Sequence, residues 1–426
     1  MRSFLLSRFS FKTAHVQTVF TFLALSIPLC LIWGRSPADI VMGLVTVGFL
    51  LRSFFKKDWL WIKTPWFKAC LLAGTYLVLS ALLADFDKEK AFVAAIGWFR
   101  FPLFTIGFIT WILPQEKAQR YITPFLAILL SLVAIDTIWQ FTFGTSLSGH
   151  GTPHYFGRLT GPFHKMVVGI FLAHLCWAVI GFYFGRSLEK GFHKGFFVLA
   201  LTFSLLMAFT ILISGERTAL VLFLVCGFFF AIGAKDLRKI IFPIGSAVLV
   251  AIALLIFLNP TIHTRLVKNT LPYLENIRNS PYGAVWHNGF TAWKYSPVFG
   301  VGPNNFVPAC EALGHQGGFV NERPTTVGLA CVRHPHNIYL EWLAETGFVG
   351  LLLFLALIGI WSKKIKSNFA HYAMDIQKYY TQLGYVMTIL SFVWPIASTM
   401  SFFTNWNAVL FWWILALALQ EPKRYA

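Results

Sequence analysis

Residues 196–233 have the sequence FFVLALTFSLLMAFTILISGERTALVLFLVCGFFFAIG, two apolar runs separated by a Gly-Glu turn. The first run has 19 residues, and the second has 17 with Arg217 at its start. A helix needs about 20 predominantly apolar residues to cross the hydrocarbon core of a bilayer. The stretch therefore predicts two membrane-spanning helices joined by a short charged turn at one membrane face.

The composition extends this interpretation to the whole chain of 426 residues. Hydrophobic residues make up 57% and charged residues only 12%, whereas a soluble domain carries about 25% charged residues. These values exclude a soluble enzyme, a disordered chain and a disulfide-rich secreted domain. An all-α polytopic membrane protein of about twelve transmembrane helices is expected, from apolar runs near 16–34, 38–55, 66–84, 91–113, 121–143, 163–184, 196–214, 217–233, 239–258, 337–361, 379–400 and 405–420.

The net charge of +18 follows the expected topology. With the N-terminus in the cytoplasm, the inside segments hold 22 of the 35 lysines and arginines but only 6 of the 17 acids. Cytoplasmic loops of membrane proteins collect Lys and Arg in this way. Both termini are therefore expected inside, and a nucleic-acid partner is disfavoured. The inside segments are 1–15, 56–65 with its flanks, 114–120, 185–195, 234–239, 362–378 and 421–426.

One connection is much longer than the others. Residues 259–336 form an outside segment of 78 residues, rich in Trp and Phe, which predicts a small, mostly helical cap. The predicted domains are transmembrane helices 1–9 in residues 1–258, this loop, and helices 10–12 in residues 337–426. Cys310 and Cys331 are the only cysteines in the loop, and an oxidising compartment predicts a disulfide between them.

Charges inside a membrane are costly and mark functional sites by default. Arg100 and Asp136 are predicted at similar depths, about 13 and 10 Å below the outer face, so the two side chains are expected to pair. The pair either locks two helices together or leaves Arg100 to help hold an anionic substrate.

Three arginines are expected at the outer face. Arg217 opens the second run of the opening stretch, where the helix dipole and free N–H groups favour an anion. Arg265 lies early in the long loop, and Arg158 lies in a Gly157–Gly161 turn. The alternative for Arg217 is an interfacial pair with Glu216, and the alternative for Arg265 is a solvated loop charge.

Residues 333–337, Arg-His-Pro-His-Asn, immediately precede an apolar run. Pro335 fits the first turn of a helix, and the dipole there favours the neutral form of the His336 imidazole. A neutral imidazole can take a proton from a hydroxyl group. Capping or packing at the interface is the alternative for His336, and metal ligation with His334 is another, although no further ligand has suitable spacing.

Together these residues predict catalysis by charge neutralisation and a histidine base. Clustered guanidinium groups suit a diphosphate, because arginine offers two parallel donors to phosphate oxygens. No retaining-glycosidase pair of carboxylates and no metal site is evident in the sequence.

His336-Asn337, nine further residues and Gly347-Phe-Val-Gly350 form a pattern that resembles the bacterial O-antigen ligases of the O-antigen ligase/polymerase superfamily. The segment Asn288–Phe306, ending in Pro-Val-Phe-Gly-Val-Gly-Pro-Asn-Asn-Phe, is similar to the family's loop. The resemblance implies an inverting, metal-independent glycosyltransferase that needs no cofactor. It implies transfer of a glycan from undecaprenyl diphosphate to lipid A–core at the periplasmic face of the bacterial inner membrane, with no obligate protein partner.

The roles carried over are expectations about this chain. Arg217 and Arg265 bind the diphosphate, His336 deprotonates the acceptor hydroxyl group, and Asn337 orients the site. Position alone adds further substrate-binding candidates: Arg333, His334, Arg158 and Arg100. The alternatives are an O-antigen or exopolysaccharide polymerase, a protein O-oligosaccharyltransferase and, from another class, a twelve-helix transporter or flippase. The transporter is disfavoured because the two halves of the chain do not match.

Overall fold

The structure is a computed structural model that describes residues 13–151, 158–313, 319–320, 323–324, 331–397, 400–403 and 405–420. It is predominantly helical, with one antiparallel pair of two-residue strands, β1 (Phe319–Val320) and β2 (Arg323–Pro324). The helices are α1 Thr13–Trp33, α2 Arg35–Lys56, α3 Pro65–Leu82, α4 Lys88–Trp98, α5 Arg100–Gly107, α6 Glu116–Phe143, α7 Val168–Leu188, α8 Lys194–Ser214, α9 Arg217–Gly233, α10 Arg238–Leu258, α11 Pro260–His263, α12 Leu271–Glu275, α13 Pro281–Tyr295, α14 Phe306–Ala312, α15 Ile338–His371, α16 Ile376–Val393 and α17 Asn405–Leu419.

Within the described residues, nine helices are long and apolar enough to cross a membrane. They are α1, α2, α3, the continuous segment Lys88–Ile112, α6, α7, α8, α10 and α15. Helix α9 and residues Trp406–Leu419 are apolar but shorter. Each of the twelve predicted apolar runs overlaps a helix, which confirms a helical, multi-pass architecture. The count of twelve crossings and their direction stay predictions.

The segment Lys88–Ile112 departs from a regular helix. It is interrupted at Phe99, between α4 and α5, and ends in a π-helical turn at Phe108–Ile112. Pro102 has no N–H to donate to the carbonyl of Trp98, so the helical ladder loses a bond at this point. The interruption places Arg100 at the first residue of a new helix.

Helix α7 is the centre of the bundle, because 89% of its most apolar stretch is buried. Its main packing partner is α16. A Cβ built on Gly181 would lie 2.4 Å from the Tyr380 carbonyl oxygen, and one on Gly384 would lie 2.3 Å from that of Trp177. The two helices therefore approach backbone to backbone, as small residues permit in membrane bundles. By contrast, only Ile252 of α10 is buried, as expected of a helix that faces lipid.

The described part of the long loop is mostly helical, as predicted. Ser280 caps α13 by accepting a hydrogen bond from the Gly283 N–H at 3.2 Å. Helix α13 packs on the start of α15, where a Cβ on Gly289 would lie 2.8 Å from Leu340 and 3.2 Å from Pro335. The predicted disulfide between Cys310 and Cys331 is present. These contacts attach the loop to the residues that precede α15.

Candidate active site

Two regions carry the predicted site, and helix direction places them at the same end of the bundle. The Tyr379 hydroxyl donates to the Gly233 carbonyl at 3.0 Å, so the start of α16 meets the end of α9. The Tyr339 hydroxyl donates to the Val393 carbonyl at 2.6 Å, so the start of α15 meets the end of α16. Both α9 and α15 are thus antiparallel to α16 and begin at one face of the bundle, which we call the site face.

Three arginines converge at the start of α9. The Arg217 Nε donates to the Arg265 carbonyl at 3.2 Å. A Cβ built on Gly215 would lie 3.5 Å from Cδ of Arg265 and 3.6 Å from Cγ of Arg158. The turn quoted at the outset therefore brings together side chains that are far apart in sequence. We call Arg158, Arg217 and Arg265 the arginine cluster.

Two donor atoms of the arginine cluster lack a partner in the part of the chain that the structure describes. Among the described residues, Arg158 Nε and Arg265 Nη1 are buried and have no hydrogen-bond partner. Burial also lowers the pKa of Arg265 from its usual value. Buried donors without partners are uncommon in proteins, and cationic donors are best satisfied by an anion. The arrangement is suited to an oxyanion ligand such as a phosphate.

Glu216 fixes the arginine cluster to the bundle. Its carboxylate accepts from the Gly169 N–H at 2.7 Å and the Ile170 N–H at 3.3 Å, at the start of α7. It also lies 3.7 Å from Arg158 Nη2. Burial raises the pKa of Glu216 to about 7, while Arg158 and the two N–H groups lower it. Glu216 is thus an ion-pair partner of Arg158. The alternative of an interfacial pair between Arg217 and Glu216 stays a prediction.

His336 lies just before α15. The sequence predicted a position inside the first turn of this helix, and that prediction is wrong. Asn337 is the N-cap, and its Oδ1 accepts from the N–H groups of Tyr339 and Leu340 at 3.0 Å each. Asparagine is among the best N-cap residues, so the helix begins one residue after it. His336 has φ +53, a left-handed conformation that is uncommon for a side chain other than glycine. Strained residues of this kind cluster at functional sites.

Neighbouring contacts hold this turn in place. The Asn337 Nδ2 donates to the Pro395 carbonyl at 2.8 Å, after the end of α16. The rings of His334 and His336 meet edge to face, with centroids 4.5 Å apart. Arg333 is exposed at the start of the turn. Across the described residues, no group of three or more His, Cys, Asp or Glu side chains could hold a metal ion.

The glycines of the resemblance motif have an architectural role. Gly347 interrupts α15 with φ +68, and a Cβ there would lie 2.2 Å from the Val298 carbonyl oxygen. The Phe348 N–H donates to the Pro297 carbonyl at 2.8 Å, and the Gly302 N–H donates to that of Glu345 at 2.8 Å. We call this contact between residues 297–302 and 344–350 the glycine seam. It fixes the loop segment of the resemblance against α15.

Two buried glutamates of α15 hold adjoining backbone. Glu345 accepts from the N–H groups of Asn304 at 2.6 Å and Phe306 at 3.3 Å, and Glu341 accepts from that of Phe402 at 2.7 Å. These contacts give Glu345 a packing role. The hydrogen bond between Glu341 and Phe402 joins residues 61 positions apart, so no local sequence pattern could have predicted it.

The predicted pair of Arg100 and Asp136 is wrong. Arg100 Nε donates to Asp39 Oδ1 at 2.8 Å, because α5 packs directly against α2. Asp136 instead accepts from the backbone N–H of Leu147, in the turn that follows α6. Sequence reasoning missed Asp39, although an acid inside the apolar run 38–55 was a signal of the same kind as Arg100.

The fold and site describe a multi-pass membrane protein with a cationic cluster and a strained histidine turn on one face. Residues 202–355 match the family model described as O-antigen ligase. The matched residues include Arg217, Arg265 and the whole of the histidine–glycine pattern, and the resemblance to that superfamily is confirmed. No curated protein matches the chain. A family of this kind indicates a membrane enzyme that transfers glycosyl groups.

Proposed function

We propose that the protein is an O-antigen ligase that transfers a glycan from undecaprenyl diphosphate to lipid A–core. The proposal includes twelve crossings, cytoplasmic termini and a site face on the periplasmic side of the bacterial inner membrane. The observation that carries it is the arginine cluster, with two unsatisfied buried donors, on the same face of the bundle as His336. The family match over residues 202–355 supports it independently.

The arginine cluster binds the diphosphate of the donor. Arg217 and Arg265 neutralise the charge that develops on the leaving group, and Arg158 adds a third guanidinium group. Electrostatic stabilisation by preorganised donors is usually the largest single contribution to catalysis. Glu216 positions the cluster, because its buried carboxylate ties the turn to α7.

His336 acts as the general base. It takes the proton from an acceptor hydroxyl group while that oxygen attacks the anomeric carbon of the donor sugar. The bond from the anomeric carbon to the phosphate oxygen breaks, and undecaprenyl diphosphate leaves with the electron pair. A single in-line displacement inverts the anomeric configuration. Asn337 caps α15 and thereby orients His336, while Arg333 and His334 flank the substrate.

The polyprenyl tail has a place beside the cluster. An apolar cavity of about 210 Å³ lies between α7, α8, α9 and α10. Its first lining residue on α9 after Arg217 is Phe223, about 9 Å further along the helix. A headgroup held by Arg217 would direct its hydrocarbon chain along this side of α9.

In vitro transfer tests the proposal directly. Purified protein is mixed with undecaprenyl-diphosphate-linked glycan and lipid A–core, with and without EDTA. We expect glycan-bearing lipid A–core in both cases. Extension of glycan on the carrier alone would identify a polymerase instead, and glycan movement across proteoliposomes with His336→Ala fully active would identify a transporter.

A further inference from the structure

A second cavity of about 650 Å³ lies along α4, beside the starts of α5 and α2. This volume falls within the range of ligand sites, about 300–1,000 Å³. Its wall includes Asn304 and Phe403. The N–H of Asn304 is held by Glu345, and the N–H of Phe402, next to Phe403, is held by Glu341. The cavity therefore adjoins the backbone segments that Glu341 and Glu345 of α15 hold in place.

The charges around this cavity differ from those of the arginine cluster. Three carboxylates line it, against two cations. Arg100 is paired with Asp39, and its guanidinium group also lies 4.2 Å from the centre of the Phe101 ring. An anionic ligand would meet unfavourable carboxylates here, as like charges do at binding surfaces. The acidic residues are Asp39, Asp87 and Glu89, and the cations are Lys90 and Arg100.

The remaining wall is suited to sugar rings. Phe403 is partly exposed and provides aromatic surface, with the buried rings of Trp98 and Phe101 behind the wall, and the charged side chains provide donors and acceptors for hydroxyl groups. Asn304 has φ +61, so a side chain is kept in a strained conformation at the cavity wall. Such strain persists where the surrounding structure over-determines it, often at ligand sites.

We propose that this cavity, which we call the acidic cavity, binds an uncharged, hydroxyl-rich saccharide. The inference rests on the proposed function and assigns a separate site to each part of the substrate. The arginine cluster binds diphosphate, and the acidic cavity binds the sugar portion. That portion belongs either to the carrier-linked glycan or to the acceptor core. The chemistry is the same for both, and kinetics distinguish them.

Filling the acidic cavity is the first test. Ala94 lines it, and Ala94→Trp occupies part of its volume. The matched control is Phe92→Trp, on the same helix, at a side chain that is 42% exposed and does not line the cavity. The probe is a core oligosaccharide stripped of acyl chains and phosphates, measured by equilibrium dialysis with the full-length protein. We expect at least ten-fold weaker binding for Ala94→Trp and unchanged binding for the control.

Undecaprenyl diphosphate without a glycan is the second probe in the same experiment. Its binding should be unchanged in Ala94→Trp and weakened in Arg217→Lys. The inference is overturned if the wild type binds neither the dephosphorylated core oligosaccharide nor the free glycan released from the carrier, if Ala94→Trp binds both like the wild type, or if Ala94→Trp also loses undecaprenyl diphosphate. Failure of the proposed function looks different, because then Arg217→Lys would bind undecaprenyl diphosphate normally.

Asp39→Asn is a second variant that keeps the side-chain volume. It leaves Arg100 without its acidic partner, so we expect weaker binding of the dephosphorylated oligosaccharide and stronger binding of its phosphorylated counterpart. A purely structural role for Asp39 would change both affinities in the same direction, which would contradict the inference. The transfer reaction then distinguishes the two sources of the sugar. If Ala94→Trp raises the KM for the donor, the cavity binds the carrier-linked glycan. If it raises the KM for lipid A–core, the cavity binds the acceptor.

Discussion

The arginine cluster and the glycine seam differ in how their polar groups are satisfied. In the glycine seam, the Tyr76 hydroxyl donates to the carbonyls of Val298 at 2.9 Å and Thr346 at 2.8 Å, and that of Ser80 donates to Phe299 at 2.8 Å. In the arginine cluster, buried guanidinium atoms have no partner within the described residues. The hydrogen bonds of the glycine seam join segments of the fold, whereas unpartnered cationic donors are groups that an anionic ligand can satisfy. Variants in the two regions should therefore affect different quantities.

His336→Ala should have the largest effect on the reaction. General-base catalysis contributes about 10²–10⁴-fold, so we expect transfer to fall by about that factor while the protein still inserts and stays monodisperse. The matched control is His287→Ala, at an exposed histidine of the same loop. Undiminished turnover in the purified variant would refute the base role.

Arg217→Lys should come next. Lysine keeps the charge but presents a point charge in place of two parallel donors, so we expect at least a ten-fold loss of affinity for undecaprenyl diphosphate. Arg278→Lys, at an exposed arginine of the long loop, should bind like the wild type. Equal affinities of the two variants would show that the paired-donor geometry is unimportant.

Gly347→Ala should affect stability and leave chemistry nearly intact. A side chain at φ +68 costs about 1–3 kcal/mol, and its Cβ would also collide with the Val298 carbonyl. We expect a lower thermal unfolding midpoint, with turnover per folded molecule within about two-fold of wild type. The control is Gly359→Ala on the same helix, where a Cβ meets no atom within 4 Å. A loss of turnover at unchanged stability would place Gly347 in the chemistry.

Glu216→Gln should have the smallest effect, visible in the pH dependence of stability. Burial raises the pKa of this carboxyl group from 4.5 to about 7, so the folded protein binds the proton more tightly than the unfolded chain. The stability contributed by Glu216 is fully present below pH 4.5 and is lost as pH rises to about 7. Thermal midpoints at pH 5, 6, 7 and 8 should therefore decrease more steeply for the wild type than for Glu216→Gln. The control Glu189→Gln should follow the wild type, and parallel curves for all three proteins would contradict the assignment.

Local patterns predicted the helices well because each spanning helix satisfies its own backbone hydrogen bonds. The twelve apolar runs and the helical loop were accessible in this way, as was the disulfide, since only two cysteines lie in the loop. The prediction failed at Arg100, whose partner depends on which helices become neighbours. It also placed His336 inside the helix, because the capping role of Asn337 was not considered.

The sequence by itself determined the class of protein and the residue types of its site: apolar runs long enough for a bilayer, and a histidine and arginines at the ends of those runs. Only the tertiary structure decided which charges meet. It placed Arg158 and Arg265 beside the Gly215 turn, paired Arg100 with Asp39 and formed the acidic cavity. The physical reason is that hydrophobicity acts residue by residue along the chain, whereas ion pairs and cavities depend on distances between segments far apart in sequence.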